Sequence, residues 1–246
     1  MNNFDFYYFH RKSLVLDAIK KINHIGFIMD GNRRWAKRRF LLPINGHKKG
    51  LETMHNIINY AVKILKINVL TFYTFSTENW KRDDEEINYL MNLILNQLND
   101  TKFEEWLMQN NVQFIWNGFE SKLDKEIINK IQYLMNKTIN NTGTKLQILL
   151  NYGSQQKIVE AINEMMETKH QPIALNDLIN KLDKFNLGPI DLLIRTGKEQ
   201  RLSNFMLFEL AYSEIIFRKC YWPSYSRYKL DSDLIEFSNR KRRFGK

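Results

Sequence analysis

The chain has 246 residues, of which 43% are hydrophobic, 13% aromatic and 26% charged, a profile that excludes a disordered chain and fits one domain with a single core. Lys and Arg number 37 against 27 Asp and Glu, a net charge of +10 that favours an anionic partner: phosphate, nucleic acid or an acidic membrane surface. The single cysteine, Cys220, excludes an intramolecular disulfide framework and a cysteine-cluster metal site.

The opening segment, Met1–Lys12, is aromatic and polar without an apolar signal core. No apolar run approaches the roughly 20 residues needed to cross a bilayer. Together these predict a soluble, cytoplasmic protein. Ile25–Met29 is the first short run of branched apolar residues and reads as a buried strand. It ends in Asp30-Gly31-Asn32-Arg33-Arg34-Trp35, a carboxylate and a glycine at a strand end followed by a helix start. Free N–H groups at a helix start suit a phosphate. Arg33 and Arg34 oppose the usual preference for acids in a first turn, and a bound anion would remove that conflict. On this segment alone a solvated basic face explains the arginines slightly better, and Asp30 is as good an N-cap as a metal ligand.

Gly46-His47-Lys48-Lys49-Gly50 precedes a helical stretch, Leu51–Leu65. The second apolar run, Val69–Phe75, ends in Ser76-Thr77-Glu78-Asn79-Trp80-Lys81-Arg82, where Ser76 or Thr77 can equally cap a helix and Trp80 can simply pack. Glu85–Asn99 then places Ile87, Leu90, Met91, Ile94, Leu95 and Leu98 on one broad stripe with a period near 3.6. The acids Asp83–Glu86 stand where a helix opening expects them. Val112–Trp116, Leu146–Leu150 and Leu192–Ile194 are further strands, and Ser121–Thr138 a further helix. The last strand runs into Arg195-Thr196-Gly197-Lys198-Glu199-Gln200-Arg201-Leu202-Ser203. Two arginines, a hydroxyl and a glycine-bearing turn make this the strongest phosphate cradle in the chain, since the guanidinium fork binds phosphate bidentately.

Strands alternating with helices predict an α/β domain with a mostly parallel central sheet flanked by helices. Ligands of such sheets bind at the carboxyl ends of the strands, where three separate segments here supply anion-binding groups. There is no Gly-x-x-x-x-Gly-Lys-Ser/Thr loop, no Gly-x-Ser-x-Gly elbow and no His/Cys set with zinc spacing. The residues instead suggest diphosphate binding beside apolar walls, which suits an allylic diphosphate with a lipid tail. The competing reading from charge, a nucleic-acid-binding module, expects a continuous basic stripe. The arginines instead cluster with Asp, Asn and Ser at separate strand ends.

His24–Lys37, Gly46–Gly50, Thr71–Arg82, Asn151–Gly153, Asp191–Phe217 and the tail Arg242-Arg243-Phe244-Gly245 together resemble the cis-prenyltransferases, bacterial undecaprenyl diphosphate synthases in particular. The resemblance implies a catalytic domain over residues 23–246, with residues 1–22 as an N-terminal extension. It also implies a hydrophobic tunnel between sheet and helices, one wall of it the 85–99 helix. The implied reaction condenses isopentenyl diphosphate repeatedly onto an allylic diphosphate, farnesyl diphosphate, with cis geometry. The product is then a long polyprenyl diphosphate such as undecaprenyl diphosphate, the lipid carrier of cell-wall glycan synthesis. By resemblance Asp30 holds Mg²⁺ on the homoallylic diphosphate and helps the allylic diphosphate leave, with Glu214 as a second carboxylate contributed across a homodimer. Gly31, Asn32, Arg33, Arg34 and His47 surround the allylic diphosphate. Ser76, Thr77, Glu78, Asn79 and Arg82 lie near the condensation centre, with Asn79 assigned a catalytic part. Arg195, Arg201 and Ser203 hold isopentenyl diphosphate, Trp35 and Trp80 stand near the channel, and Arg243 and Gly245 reach the partner's site. Peripheral membrane contact for product release is a further expectation, and nucleic acid is not an expected partner.

The chain departs from the family pattern at several points. Pro43 stands where an arginine is usual, with Lys48 or Lys49 as candidate replacements. Ser154-Gln155 replace Gly-Arg, and Lys198 replaces a glycine. Leu149 and Leu150 replace two alanines, which would shorten the product if either points into the tunnel.

Overall fold

A computed structural model describes residues 13–168 and 172–242. Six strands form one sheet: β1 (His24–Ile28), β2 (Val69–Ser76), β3 (Gln113–Asn117), β4 (Lys145–Tyr152), β5 (Leu192–Arg195) and β6 (Glu214–Phe217). Their order is β3-β4-β2-β1-β5-β6, and every pairing is parallel. Parallel pairs need crossovers, which cover both faces with helices, and this is why β1 and β5 are buried at every position. Five strands match the sequence expectation within one or two residues. β6 was not anticipated: four residues at a sheet edge, all but Ile216 only partly buried, carry little pattern.

Residues 13–19 are helical ahead of β1, and the helices that follow it are α1 (Asn32–Lys37), α2 (Pro43–Tyr60), α3 (Asp84–Asn99), α4 (Thr101–Gln109), α5 (Lys125–Lys137), α6 (Ser154–Thr168), α7 (Leu175–Leu182) and α8 (Arg227–Ser238). The predicted helix at 51–65 begins eight residues earlier, because Pro43 starts it at a position where the missing N–H costs nothing, and it ends in a π turn at Ala61–Leu65.

The sheet separates two apolar clusters. The larger lies under α2, α3 and α5 and includes Phe27, Phe72, Phe75, Leu146 and Leu150. Phe27 and Phe72 are paired in register and stack at 4.7 Å, an arrangement worth about 0.5–1.5 kcal/mol beyond its burial. The smaller cluster, on the other face, gathers Ile28, Tyr73, Leu149, Tyr152, Leu193 and Phe205. Tyr73 and Phe75 would share a face in a regular strand. The register shift between them places them on opposite faces, with the Thr74 hydroxyl donating to the Leu149 carbonyl at 2.7 Å.

Strand order reverses beside β1, since the chain passes from β1 to β2 on one side and later returns to β5 on the other. Ile28 is in register with Arg195, so the loops leaving β1 and β5 emerge side by side at this switch point.

Candidate functional site: two cation clusters on one cleft

Asp30 follows β1 directly. Its Oδ2 accepts from Arg195 Nη2 at 2.9 Å and its Oδ1 from Arg34 Nη2 at 2.7 Å. Arg34 Nη1 also donates to Glu199 at 2.6 Å, and the other Glu199 oxygen accepts from Arg201 at 2.8 Å. Three arginines, one from α1 and two from the end of β5 and its loop, are thus laced by two carboxylates, leaving one positive charge in excess. Arg195 is nearly inaccessible, its side chain 4% exposed, and its Nη1 also donates to Ser203 Oγ at 2.8 Å and to the Arg201 carbonyl. Its Nε is buried with no partner among the described residues. The Thr196 hydroxyl donates to the Asp30 carbonyl at 2.8 Å and pins the two loops together.

Gly31 lets the chain turn here. Its φ is +106°, and a Cβ would stand 2.6 Å from the Tyr221 ring. Asn32 opens α1 and packs against α2, where a Cβ on Gly46 would stand 2.1 Å from the Asn32 carbonyl oxygen. Asn32 Oδ1 is buried and unpartnered among the described residues. With only six residues α1 offers few amides, so its arginines carry the anion-binding capacity.

A second cluster faces the first. Glu86, near the start of α3, receives Arg82 at 3.0 Å and His47 Nε2 at 3.2 Å, and lies 3.3 Å from Arg33. Burial holds the His47 imidazole below its ordinary value, although Glu86 pulls it upward. His47 is therefore mostly neutral at pH 7. Asp30 and Arg34 of the first cluster and Arg33, His47 and Arg82 of the second line one cleft of about 770 Å³; Arg195, Arg201 and Ser203 are not among its lining residues.

The cleft shares Met29, Asn32 and His47 with an apolar cavity of about 130 Å³ between the sheet and α2, α3 and α5. Leu90, Ile94 and Leu98 of the expected stripe wall this cavity together with Leu93, which the stripe did not include. Leu150 also lines it, whereas Leu149 faces the smaller cluster on the other side of the sheet, as strand alternation requires. Of the two leucines, only Leu150 bears on what this cavity can hold.

The remaining sequence candidates separate into supports and outliers. Ser76 and Asn79 cap the short 3-10 turn Thr77–Lys81 reciprocally, Asn79 Oδ1 accepting from the Ser76 amide at 3.1 Å. Thr77 Oγ1 is buried without a partner among the described residues. Glu78 accepts from Asn204 at 2.9 Å. Trp80 packs edge-on against Phe75 and donates to Asn151 Oδ1 at 2.7 Å. Trp35 donates to Ser224 Oγ at 2.9 Å, and neither tryptophan is among the residues lining the cleft or the apolar cavity. Glu214 does not join Asp30 within the chain. It opens β6 at the far end of the strands, level with Leu192, and pairs with Arg240 at 2.9 Å. Arg243 and Gly245 lie outside the described residues; Arg242, just before them, donates to Asp191 at 2.7 Å at that same far end.

The departures have local accounts. Pro43 lines the cleft, but Lys48 and Lys49 are not among its lining residues, and Lys49 pairs with Glu52; Arg33 and Lys37 supply cations there instead. Lys198 holds φ of 70°, the left-handed conformation a glycine would take freely. Ser154 Oγ accepts from the Leu207 amide, and the Gln155 amide donates to Asn204, which in turn holds Glu78. Sequence reading missed Glu86 and Glu199 as members of the site. Glu86 stood in an acidic run already explained by a helix start, and Glu199 stood in a loop read for its cations.

The residues fit Mg²⁺ only in one manner. Among the described residues no group of three or more His, Cys, Asp or Glu could hold a metal. Asp30 is the one carboxylate among the residues lining the cleft, and it suits an ion that takes one or two carboxylates and completes its shell with water and substrate phosphate oxygens once Arg34 or Arg195 yields one of its two oxygens.

A family model described as "Putative undecaprenyl diphosphate synthase" matches residues 28–245. The isoprenyl transferase of Listeria innocua serovar 6a is 41% identical over 228 residues, 90% of this chain and 89% of that protein. That of Neisseria gonorrhoeae is 39% identical over 232 residues, 94% of this chain and 92% of its own. Among solved structures, lavandulyl diphosphate synthase from Lavandula x intermedia, in complex with dimethylallyl diphosphate, superposes with a TM-score of 0.86 at 29% identity, covering 92% of this chain and 98% of that one. A "probable undecaprenyl diphosphate synthase" from Campylobacter jejuni gives 0.77 at 30% identity, covering 92% and 99%.

Proposed function

The chain belongs to the undecaprenyl diphosphate synthase family of prenyltransferases, and from that premise we propose that it condenses isopentenyl diphosphate repeatedly onto an allylic diphosphate, farnesyl diphosphate, with cis geometry. The observation that carries this reading is the pair of cation clusters on one cleft, with an apolar cavity leading away beneath. Two clusters suit two diphosphates, and the cavity suits a growing hydrocarbon. The lavender neighbour's dimethylallyl diphosphate is itself an allylic diphosphate.

In the proposed reaction the allylic carbon–oxygen bond breaks and diphosphate departs with the electron pair. The isopentenyl double bond supplies electrons to the allylic carbon, and one proton leaves the isopentenyl unit. Arg33, Arg34 and Arg82 stabilise charge where it develops on the departing group, while Arg195, Arg201 and Ser203 orient the isopentenyl diphosphate. The acceptor oxygens of Asn79 and Ser76 are engaged in their mutual cap, which favours a diphosphate oxygen as the proton acceptor. Asp30 would hold Mg²⁺ against a diphosphate, and the bound ion would neutralise charge on the leaving group.

We assign Glu214 and the Arg243–Gly245 tail to the site of a second copy in a homodimer, because Glu214 and Arg242 both sit at the end of the sheet opposite Asp30. The lipid-carrier role in cell-wall synthesis follows for a long product. Incorporation of radiolabelled isopentenyl diphosphate with farnesyl diphosphate and Mg²⁺, read by product length, tests the reading; no incorporation would overturn it. Leu150→Ala should lengthen the product by one or more isoprene units, because it removes bulk from the cavity wall.

A further inference from the structure

From the end of α1 into the first turn of α2, every residue from Lys37 to Asn45 is exposed. Four of these are large and apolar: Phe40 is 100% exposed, Leu42 68%, Leu41 42% and Ile44 41%. Phe40 holds φ of 57°, a left-handed conformation that bulky residues seldom take. The Leu41 amide closes the turn on the Ala36 carbonyl at 3.0 Å. A clustered apolar tip differs from single exposed apolar residues, which need no explanation.

The flanks are uniformly basic: Lys37, Arg38 and Arg39 on one side, Lys48 and Lys49 on the other. Arg38 lies over the Tyr221 ring at 5.2 Å and Arg39 over the Trp35 ring at 4.2 Å, which holds both guanidiniums near the base of the tip. Lys49 pairs with Glu52; the other four form no ion pair among the described residues. An apolar tip with a cationic collar complements an anionic bilayer, where side chains enter the acyl boundary while cations stay at the headgroups. Phe40, Leu41 and Pro43 also line the rim of the charged cleft, so a surface met by this tip would border its mouth.

We propose that the Lys37–Lys49 loop docks the protein on an anionic lipid bilayer, with Phe40, Leu41, Leu42 and Ile44 entering the interface. The use of such docking rests on the proposed function, whose product is a lipid, but the docking itself can be measured without turnover. The full chain, with no substrate or Mg²⁺, is floated with vesicles of phosphatidylglycerol and phosphatidylcholine, and with vesicles of phosphatidylcholine alone. Expected is binding to the anionic vesicles at least tenfold stronger than to the neutral ones, and weakened by salt as surface charge is screened.

Leu42→Ser/Ile44→Ser changes two tip residues that are not among those lining the cleft. It should lower the vesicle partition coefficient at least tenfold while leaving the circular dichroism spectrum and the binding of inorganic diphosphate unchanged. Lys37→Gln/Lys48→Gln should reduce the preference for anionic vesicles. No binding by the unmodified protein, or undiminished binding by the apolar double variant, would overturn the proposal. So would a concentration-dependent self-association abolished by that variant in place of vesicle binding, which would make the tip a contact between copies. A failed incorporation assay with intact vesicle binding would instead count against the enzymatic reading alone.

Discussion

The two cation clusters face one cleft but are built on different supports. Around Asp30, Arg195 comes from the end of a central strand and its side chain is 4% exposed. Around Glu86, the arginines come from a six-residue helix and the end of a 3-10 turn, and the Arg33 side chain is 54% exposed. Arg195 is the buried, multiply bonded donor, held by Asp30, Ser203 and the Arg201 carbonyl, whereas Arg34, Arg201 and the arginines around Glu86 are all more exposed. Fixed donors are worth most where charge must be held in one place, because they need no reorganisation during the reaction. Adjustable donors suit a group that changes length and position at every cycle. Carboxylates stand among the cations of both clusters, Asp30 and Glu199 in one and Glu86 in the other, so a substrate anion must compete with them.

The largest expected effect breaks the fixed side. Asp30→Asn should lower turnover at least a thousandfold with little loss of stability, since an amide oxygen can still accept one arginine bond. Asp30→Ala should cost similar activity and, in addition, about 1–2 kcal/mol of stability, because it strips a carboxylate from the nearly inaccessible Arg195; solvent at the half-buried Asp30 reduces the figure for a fully buried pair. Steady-state kinetics and thermal unfolding separate the two. A stable Asp30→Asn protein with normal turnover would remove Asp30 from the chemistry.

A direct comparison of the supports comes next. Arg195→Ala should lower kcat/KM about a hundredfold, while Arg82→Ala should lower it about tenfold, mostly through KM for the allylic diphosphate. Equal losses, or the reverse order, would show that burial on a strand confers no advantage.

The same contrast explains what the sequence disclosed. The strand side was readable because its residues are contiguous with strong apolar runs: Asp30 after β1, Arg195 at the end of β5. The sheet then brought them within 2.9 Å through ordinary parallel register. The Glu86 cluster was only half readable. Arg33, His47 and Arg82 were each picked out, but the carboxylate joining them stood in a run that a helix start explains equally well. Two physical features had no local signal. The bulge at Thr74 depends on how β2 meets β4, and the fate of Leu149 against Leu150 depends on which face each takes. Glu214 shows the limit of motif reading, since strand register sets it at the end of the sheet away from Asp30.

The smallest expected effect tests whether the Glu86 carboxylate competes with substrate. Glu86→Gln keeps the shape of the side chain and removes its charge, so Arg33 and Arg82 lose their internal counter-ion. Inorganic diphosphate should then bind about fivefold more tightly by calorimetry, a gain set by removing a like charge from the anion's seat. His47 gives an independent readout. Burial already holds its imidazole below the ordinary 6.5, and Glu86 pulls the other way, so the Gln variant should titrate lower still in nitrogen-detected NMR. The sign follows from the neutral form being favoured in the fold: its stabilisation is present above pH 6.5 and is lost as pH falls through the depressed value. Protonation at low pH also adds a cation to this cluster alone, so diphosphate affinity should rise with acidity, and the rise should begin at lower pH in Glu86→Gln. A variant with unchanged affinity and an unmoved His47 would mean that Glu86 merely ties α3 to its neighbours, and the two clusters would differ in rigidity but not in how they admit a substrate.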